Sequence, residues 1–259
     1  MLLYQSLILG VMQGIAEWLP ISSSGHLVLA QKIMNIDVPV SFDVWLHFST
    51  LLALVVFFRQ DIWKITKAIA GWKTEEHEFR LALLIIISTI ATSLVVFPLK
   101  GLFGKAFSNL TAVGIGFAIT GFLLLFSEKN QKENRVGIKA ASLIGLMQGI
   151  AFLPGISRSG STISAALISG VKKEEAFKFS FLIAIPAILG SAILETPNLM
   201  AEKIPGLILG AGFISAFVLG LASLFVLREI IYKKRFHYFA YYCFAIAIIT
   251  FIIQILLKG

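Results

Sequence analysis

The chain is poor in charged residues: only 14% of its 259 residues are Asp, Glu, Lys or Arg, whereas 58% are apolar. A soluble core of this size cannot bury that much apolar surface, so a soluble globular protein is excluded. Cysteine is almost absent, and the lone Cys243 can form no internal disulfide. Its apolar neighbours, YYCFAIAII, indicate a packing or lipid-facing residue. The first residues lack the basic stretch and Ala-x-Ala site of a cleaved signal peptide, so we expect them to be retained.

The basic residues form no single stripe, although the net charge is +8. They lie in short connectors between apolar runs, whereas a nucleic-acid-binding protein gathers them on one face. The positive-inside rule for membrane proteins explains this distribution better. We therefore expect membrane lipids around the chain and no nucleic acid as a partner.

Six runs are apolar and long enough to cross a membrane as helices. A hydrocarbon core of about 30 Å needs roughly 20 helical residues. The runs are 40–58, 81–99, 109–127, 177–195, 205–227 and 236–257. The sequence therefore predicts an all-α polytopic membrane protein in which residues 1–259 form a single membrane domain.

The sequence contains an internal repeat. Residues 10–30 and 145–165 are identical at eleven of twenty-one positions when the chain is shifted by 135 residues without gaps. Such self-similarity is typical of a duplicated unit. We predict two copies, repeat one at about 1–127 and repeat two at about 138–257.

Loop charges predict that the two copies have opposite orientations in the membrane. Four connectors rich in Lys and Arg are predicted to lie inside: 59–80, 128–139, 172–178 and 228–235. Connectors 100–108 and 196–204 are poorer in them and are predicted outside, so three crossings separate the copies. Segments 1–30 and 138–170 must then each enter and leave on one side. The prediction is six transmembrane helices plus two re-entrant helical hairpins as inverted-topology repeats, with both termini outside.

Each copy contains a polar loop that suits a phosphate. A Pro-containing break is followed by a Ser/Gly cluster, ISSSG or GISRSGS, and then by a stretch that predicts a new helix. Amides at a helix N-terminus and nearby hydroxyls favour an anion. The first copy adds Glu17 and His26, and the second adds Arg158. An ionised side chain at the centre of a membrane helix costs about 2.5–3.5 kcal/mol on insertion scales, so these residues indicate a functional site.

Each ionisable residue also has a structural interpretation that the sequence leaves open. Glu17 and Arg158 would form an ion pair that only locks the loops together. His26 is as consistent with packing as with catalysis. Asp43 is interpreted as a helix-start or mouth residue, and His47 as a packing or interfacial residue.

The two loop regions resemble the signature regions of a known family. GVMQGIAEWLPISSSGHL and PGISRSGST, in this order, look like those of the bacterial undecaprenyl-diphosphate phosphatases of the bacitracin-resistance type. The family's first motif, Glu or Gln, three residues, then Glu, is met by Gln13 and Glu17. Its second motif, Pro-Gly-x-Ser-Arg-Ser-x-x-Thr, is met by residues 154–162. The resemblance covers essentially the whole chain.

The resemblance implies an enzyme that removes the terminal phosphate of undecaprenyl diphosphate with the help of a divalent cation, Mg²⁺ or Ca²⁺. It would act at the outer face of the bacterial cytoplasmic (inner) membrane, recycling the lipid carrier of peptidoglycan synthesis and conferring bacitracin tolerance. The implied catalytic residues are Glu17, Ser23, His26 and Arg158. The resemblance also places Gln13, Ser157, Ser159 and Thr162 at the phosphate site, and the two Ser/Gly clusters add Ser22, Ser24, Gly25 and Gly160 as predicted phosphate-binding residues. From the chemistry of these groups we expect Glu17, together with Gln13, to hold or orient the metal.

Several alternatives stay open at this point. The nucleophile is Ser23, His26 or an activated water. Inverted repeats with broken helices also occur in secondary transporters, so a lipid-carrier flippase is a second function. A phosphatase of another polyprenyl diphosphate or of a phosphatidyl substrate is a third. The sequence also leaves open whether the chain forms a homodimer.

Overall fold

In a computed structural model of the chain, residues 1–127, 134–232 and 236–256 are described, and most of them are helical. The helices are α1 (Leu3–Trp18), α2 (Ser23–Ile33), α3 (Val40–Phe57), α4 (Arg59–Ala70), α5 (His77–Phe107), α6 (Leu110–Ser127), α7 (Ile138–Ile150), α8 (Arg158–Ile168), α9 (Lys173–Leu182), α10 (Ala184–Ala201), α11 (Gly206–Tyr232) and α12 (Tyr238–Leu256). These described ranges contain no β-strand, and Asn134 and Val171 form an isolated bridge. The all-α prediction is confirmed.

Six stretches of the described chain are long and apolar enough to cross a membrane, as the sequence predicted. They are α3, α5, α6, the consecutive pair α9 and α10, α11 and α12. α9 and α10 are separated at Ile183. The reason is Pro186, which cannot donate to the carbonyl of Leu182 and whose ring clashes with that carbonyl. The chain is therefore a multi-pass membrane protein.

The two connectors that we predicted outside are shorter than the sequence suggested. α5 continues through Pro98 and ends at Phe107, so most of the connector predicted at 100–108 is helical. α10 ends at Ala201, within the connector predicted at 196–204. Hydrophobic length predicts the part of a helix that lies in lipid, but the helix continues beyond it until its last turn is capped or broken.

The connectors predicted inside also contain helix. α4 is a 12-residue helix within 59–80, and Ala68 is its buried residue, so α4 lies on the surface of the bundle. α9 begins at Lys173, within 172–178. The predicted connectors 128–139 and 228–235, and the end of the last predicted span at 257, fall partly outside the described residues.

Two helix–break–helix segments correspond to the two copies of the sequence repeat. α1 and α7 begin at residues 3 and 138, and α2 and α8 begin at residues 23 and 158, so both pairs keep the offset of 135. The four helices have 16, 13, 11 and 11 residues. Each is too short to cross a core of about 30 Å at a rise of about 1.5 Å per residue. These lengths suit the re-entrant hairpins, whose opposite orientation stays a prediction.

The short helices are packed closely against the long ones. α1 lies along α11, α7 lies along α5, and α8 packs against α7 and α6. A Cβ at Gly14 would lie 2.7 Å from the Ala216 carbonyl oxygen, and one at Gly149 would lie 2.6 Å from the Val95 Cβ, so glycine permits both contacts. The Ser223 hydroxyl of α11 donates to the Gly14 carbonyl (2.8 Å). This packing surrounds the two breaks with protein and leaves them largely buried.

Candidate active site

Each break lies against the second helix of the other copy. The first, residues 19–22, joins α1 to α2, and the second, residues 151–157, joins α7 to α8. The Ser159 hydroxyl donates to the Leu19 carbonyl across this junction (3.2 Å). One site therefore receives groups from both copies of the repeat.

Proline and serine set where the helices of the first copy end and begin. Pro20 disfavours helical backbone at Leu19, so α1 ends at Trp18. Ser22 then caps α2, because its hydroxyl accepts from the Gly25 amide (3.3 Å). Ser22 has a φ of +65°, a left-handed conformation that is uncommon for a residue other than glycine. Such backbone strain is often found at functional sites.

The second break is anchored on α6. Gly155 has a φ of +87°, and a Cβ there would collide with the Val113 carbonyl of α6, so glycine is required. The Thr120 hydroxyl of α6 accepts from the Ser157 amide (2.9 Å). Ser157 in turn caps α8 by accepting from the Gly160 amide (3.1 Å). These contacts fix the direction in which the first residue of α8 projects.

Glu17 is the centre of the site. Gln13 Nε2, one helical turn earlier, donates to Glu17 Oε2 (3.0 Å). The Ser23 hydroxyl donates to the same oxygen (2.5 Å), and His47 Nδ1 lies 3.0 Å from it. Arg158 Nη2 pairs with the other oxygen, Oε1. Since Glu17 is 6% exposed, these four contacts replace water in compensating the buried carboxylate.

Ser23 and Arg158 hold equivalent positions in the two copies. Each is the first residue of the second helix of its copy, and each binds one oxygen of Glu17. The position equivalent to Glu17 is Phe152, and the one equivalent to His26 is Ser161. The carboxylate and imidazole thus come from the first copy and the guanidinium comes from the second. Within the described ranges the two segments therefore form one site of this kind, to which each contributes different groups.

The Arg158 guanidinium has a buried nitrogen without a partner in the described part of the chain. Nη1 is buried and has no hydrogen-bond partner among residues 1–127, 134–232 and 236–256. A buried donor without an acceptor costs free energy, so it indicates an acceptor that the chain itself does not supply. The guanidinium carbon lies 5.2 Å from the centre of the Trp18 ring, so the face of the indole stabilises the cation by a cation–π interaction. A phosphate oxygen is an acceptor that fits this geometry.

Comparison with known proteins gives a family for the whole chain. The family model described as "Bacitracin resistance protein BacA" matches residues 6–249. This chain belongs to that family. An undecaprenyl-diphosphatase from Korarchaeum cryptofilum is 40% identical over 255 residues, which cover 94% of this chain and 96% of the relative. Proteins of the same name from Carboxydothermus hydrogenoformans (40% over 262 residues, 97% of each chain) and Methanosphaera stadtmanae (37% over 270 residues, 97% and 98%) are similar to the same extent.

The predicted phosphate-binding residues of this bacitracin resistance family member lie together at the starts of two helices. They are the caps or belong to the first five residues of α2 and α8: Ser22, Ser24, Gly25, Ser157, Ser159, Gly160 and Thr162. Some of their polar groups are already bonded within the chain. The Thr162 hydroxyl donates to the Arg158 carbonyl (2.8 Å). The Gly25 and Gly160 amides donate to the cap hydroxyls of Ser22 and Ser157. Their contact with phosphate stays a prediction.

His26 lies beside the Glu17 contacts and has other partners. Its Nδ1 is 2.7 Å from the Ser22 carbonyl oxygen, and its Nε2 is 2.8 Å from the Tyr242 hydroxyl. The Phe117 ring meets the imidazole edge to face, with ring centres 5.2 Å apart. The other three predicted catalytic residues meet at one carboxylate, whereas both ring nitrogens of His26 are engaged elsewhere.

Two residues at the site were not assigned to it from the sequence. His47, interpreted as a packing or interfacial residue, contacts Glu17 and also lies 2.8 Å from Gln13 Nε2. An ionisable side chain within an apolar span is a functional hypothesis by default, and His47 carried that signal. Tyr242, which contacts His26, carried none, because tyrosine is ordinary in membrane helices near the interface.

Asp43 and Cys243 have structural roles that agree with their sequence interpretations. Asp43, in the first turn of α3, accepts from Gln31 Nε2 at both carboxylate oxygens (2.9 and 3.0 Å). Cys243 is buried, and its sulfur lies 3.6 Å from the Pro20 carbonyl oxygen. It is therefore a packing residue, not a lipid-facing one.

The two predicted metal ligands, Glu17 and Gln13, lie side by side at the junction. Gln13 Oε1 is buried and has no partner in the part of the chain that the structure describes, while its Nε2 contacts Glu17. Within the described ranges no group of three His, Cys, Asp or Glu side chains would hold a metal alone. Mg²⁺ is usually bound by one or two carboxylates together with substrate phosphates. The site offers one carboxylate, whose two oxygens already have partners in the chain, and one free amide oxygen, so a cation at this position stays a prediction.

Proposed function

We propose that this protein hydrolyses the terminal phosphate of undecaprenyl diphosphate and releases undecaprenyl phosphate and inorganic phosphate. The observation that carries the proposal is the buried, unpartnered Nη1 of Arg158 beside the Ser23–Glu17 hydrogen bond. It places an unused cationic donor next to a hydroxyl and a carboxylate. The substrate is supported by full-length relatives that are named undecaprenyl-diphosphatase. The reaction recycles the lipid carrier for peptidoglycan synthesis and underlies bacitracin resistance.

Ser23 is the nucleophile that the geometry favours. Its hydroxyl donates at 2.5 Å to Glu17, which is placed to accept the proton as the oxygen attacks the terminal phosphorus. As the new P–O bond forms, the bond to the bridging oxygen breaks and undecaprenyl phosphate leaves as an anion. Arg158 Nη1 would donate to a non-bridging oxygen, where negative charge must be stabilised. Water then hydrolyses the phosphoryl group on Ser23 and releases inorganic phosphate.

His26 is assigned to proton transfer in this scheme. Both of its ring nitrogens already have partners, Ser22 and Tyr242, so it is less well placed than Ser23 to attack phosphorus. A neutral imidazole can both donate and accept a proton, which suits exchange of a proton with water or with the leaving phosphate. His47 would orient the Glu17 carboxylate.

We assign the divalent cation, Mg²⁺ or Ca²⁺, to Glu17 and Gln13 Oε1. When bound, such a cation supplies charge neutralisation to the transferred phosphoryl group. Gln13 offers a neutral oxygen, so this site carries less negative charge than a pair of carboxylates would. We therefore expect binding that depends on the phosphate oxygens of the substrate.

The test of this function is phosphate release from undecaprenyl diphosphate by the purified protein in detergent. We expect release in Mg²⁺ or Ca²⁺, loss of release when EDTA removes the cation, and recovery when the cation is restored. Arg158→Ala serves as the inactive control. Release that is unaffected by EDTA would contradict the cation assignment alone. A protein that releases no phosphate under any cation condition would contradict the enzyme.

The same assay separates the alternative substrates. Farnesyl diphosphate and phosphatidic acid, tested at equal concentration, represent a shorter polyprenyl diphosphate and a phosphatidyl lipid. We expect the highest kcat/KM with undecaprenyl diphosphate, and faster hydrolysis of phosphatidic acid would overturn the substrate class. A flippase is less well supported, because transport requires no hydroxyl bonded to a carboxylate beside a free guanidinium nitrogen.

We propose further that the protein lies in the cytoplasmic membrane with its site open to the outer side and its two broken-helix segments re-entrant. Single cysteines at Thr74 and Ser108, both exposed, report the two sides. Cys243 is buried and gives a low background. In intact cells we expect a membrane-impermeant maleimide to label Ser108→Cys, and to label Thr74→Cys only after permeabilisation. The opposite pattern would reverse the orientation.

A further inference from the structure

Tyr242 connects the last helix of the chain to the predicted catalytic histidine. It lies on α12, 216 residues beyond His26, and no sequence motif includes it. Its hydroxyl is 2.8 Å from His26 Nε2. The two ring planes are 11° apart, with their centres separated by 5.7 Å. The phenol and the imidazole thus share both a hydrogen bond and a ring contact.

The contacts of His26 determine which of its nitrogens carries the hydrogen. The Ser22 carbonyl oxygen, 2.7 Å from Nδ1, can only accept, so Nδ1 is the donor. In the neutral ring, Nε2 then has a free lone pair, and the Tyr242 hydroxyl donates to it. Phe117 packs against the ring at 86°. His26 is therefore held in one tautomer and one orientation.

We propose that Tyr242 is a positioning residue that holds the His26 Nε2 lone pair for the reaction. The proposal rests on the proposed phosphatase function, in which His26 exchanges a proton. Because Nδ1 is committed to the backbone, Nε2 is the nitrogen available for that exchange. His26 is 8% exposed and Tyr242 is 42% exposed, so the phenol is accessible at the protein surface whereas the imidazole that it contacts is buried. A water, or a phosphate oxygen that carries a proton, takes the place of the Tyr242 hydroxyl when it donates to Nε2.

The test is Tyr242→Phe, which removes the hydroxyl and keeps the ring. We expect kcat for phosphate release to fall about 3- to 10-fold, the effect of losing one neutral hydrogen bond, with KM unchanged within about twofold. A second measurement does not depend on activity. Diethyl pyrocarbonate acylates an imidazole nitrogen whose lone pair is free, and the acylated residue is identified by peptide mass. We expect His26 to be acylated about 3- to 10-fold faster in Tyr242→Phe.

The matched control is Tyr241→Phe, the same change at the neighbouring residue, which is 61% exposed. We expect it to alter neither kcat nor the acylation of His26. The proposal is overturned if Tyr242→Phe behaves like this control. It is also overturned if acylation of His47 rises in parallel with His26, since that result shows general loosening of the bundle. If the protein without substitutions releases no phosphate, the proposed function is refuted instead. The acylation rates of His26 then still decide whether the Tyr242 hydroxyl is bonded to Nε2.

Discussion

Replacing Arg158 with alanine is expected to lower kcat for phosphate release by about 10³-fold, a loss comparable to removing an arginine that stabilises a phosphoryl-transfer transition state. Arg158→Lys is expected to lose about 10²-fold. The physical reason is that the guanidinium uses Nη2 for Glu17 and keeps Nη1 for the phosphate. A lysine ammonium is a point charge and cannot serve both partners in fixed directions. The measurement is kcat with saturating undecaprenyl diphosphate and cation.

The matched control for the arginine variants is Lys178→Ala. Lys178 pairs with Asp61 at 2.6 Å, and both side chains are 30% exposed, so this ion pair links α9 to α4 away from the junction of the two loops. A partly exposed ion pair contributes about 0–1 kcal/mol to the free energy of unfolding. Because the fold is therefore kept and the pair does not contact the site, we expect kcat to change less than about twofold. If Arg158→Lys kept the full kcat of the unchanged protein, the assignment of Nη1 to phosphate would be wrong.

The positions of the membrane helices and of the two broken segments could be predicted from the sequence. The membrane helices could be predicted because lipid requires long apolar runs. A crossing helix needs about 20 apolar residues, and composition alone reports that length. The identical residues at an offset of 135 likewise indicated that α1 and α2 recur as α7 and α8. The ends of the helices were harder to predict from the sequence. α5 passes through Pro98 to Phe107, and α4 forms within a charged connector, because capping and local packing decide these boundaries.

The residues of the site divide according to where they lie along the chain. Glu17, Ser23 and Arg158 belong to the two motifs, and the structure brings all three into contact. His47 and Tyr242 come from α3 and α12. Their approach to the motifs is produced by packing of distant helices, and no local pattern encodes it. The signal available for His47 was its ionisable ring in an apolar span.

Glu17→Gln tests the centre of the site. We expect kcat to fall about 10³-fold, within the range for loss of a general base. Both carboxylate oxygens accept a hydrogen bond, Oε1 from Arg158 and Oε2 from Ser23. An amide has one oxygen and one NH₂ group, so in the variant the NH₂ group would face either Arg158 or Ser23, which are themselves donors. The side-chain volume is nearly unchanged, so packing is kept. The matched control is Glu175→Gln, which makes the same change at a carboxylate 3.7 Å from His77 and should leave kcat within about twofold.

A double variant distinguishes catalysis from a purely structural ion pair between Glu17 and Arg158. Removing one partner of a buried pair destabilises a protein by about 3–5 kcal/mol, whereas replacing both with uncharged residues is often neutral. Glu17→Gln and Arg158→Met should therefore each lower the Tm, and the double variant should recover it. A structural pair predicts that kcat recovers together with the Tm. We expect the Tm to recover and kcat to stay at the level of the single variants, because the double variant has neither the base for Ser23 nor the donor for phosphate.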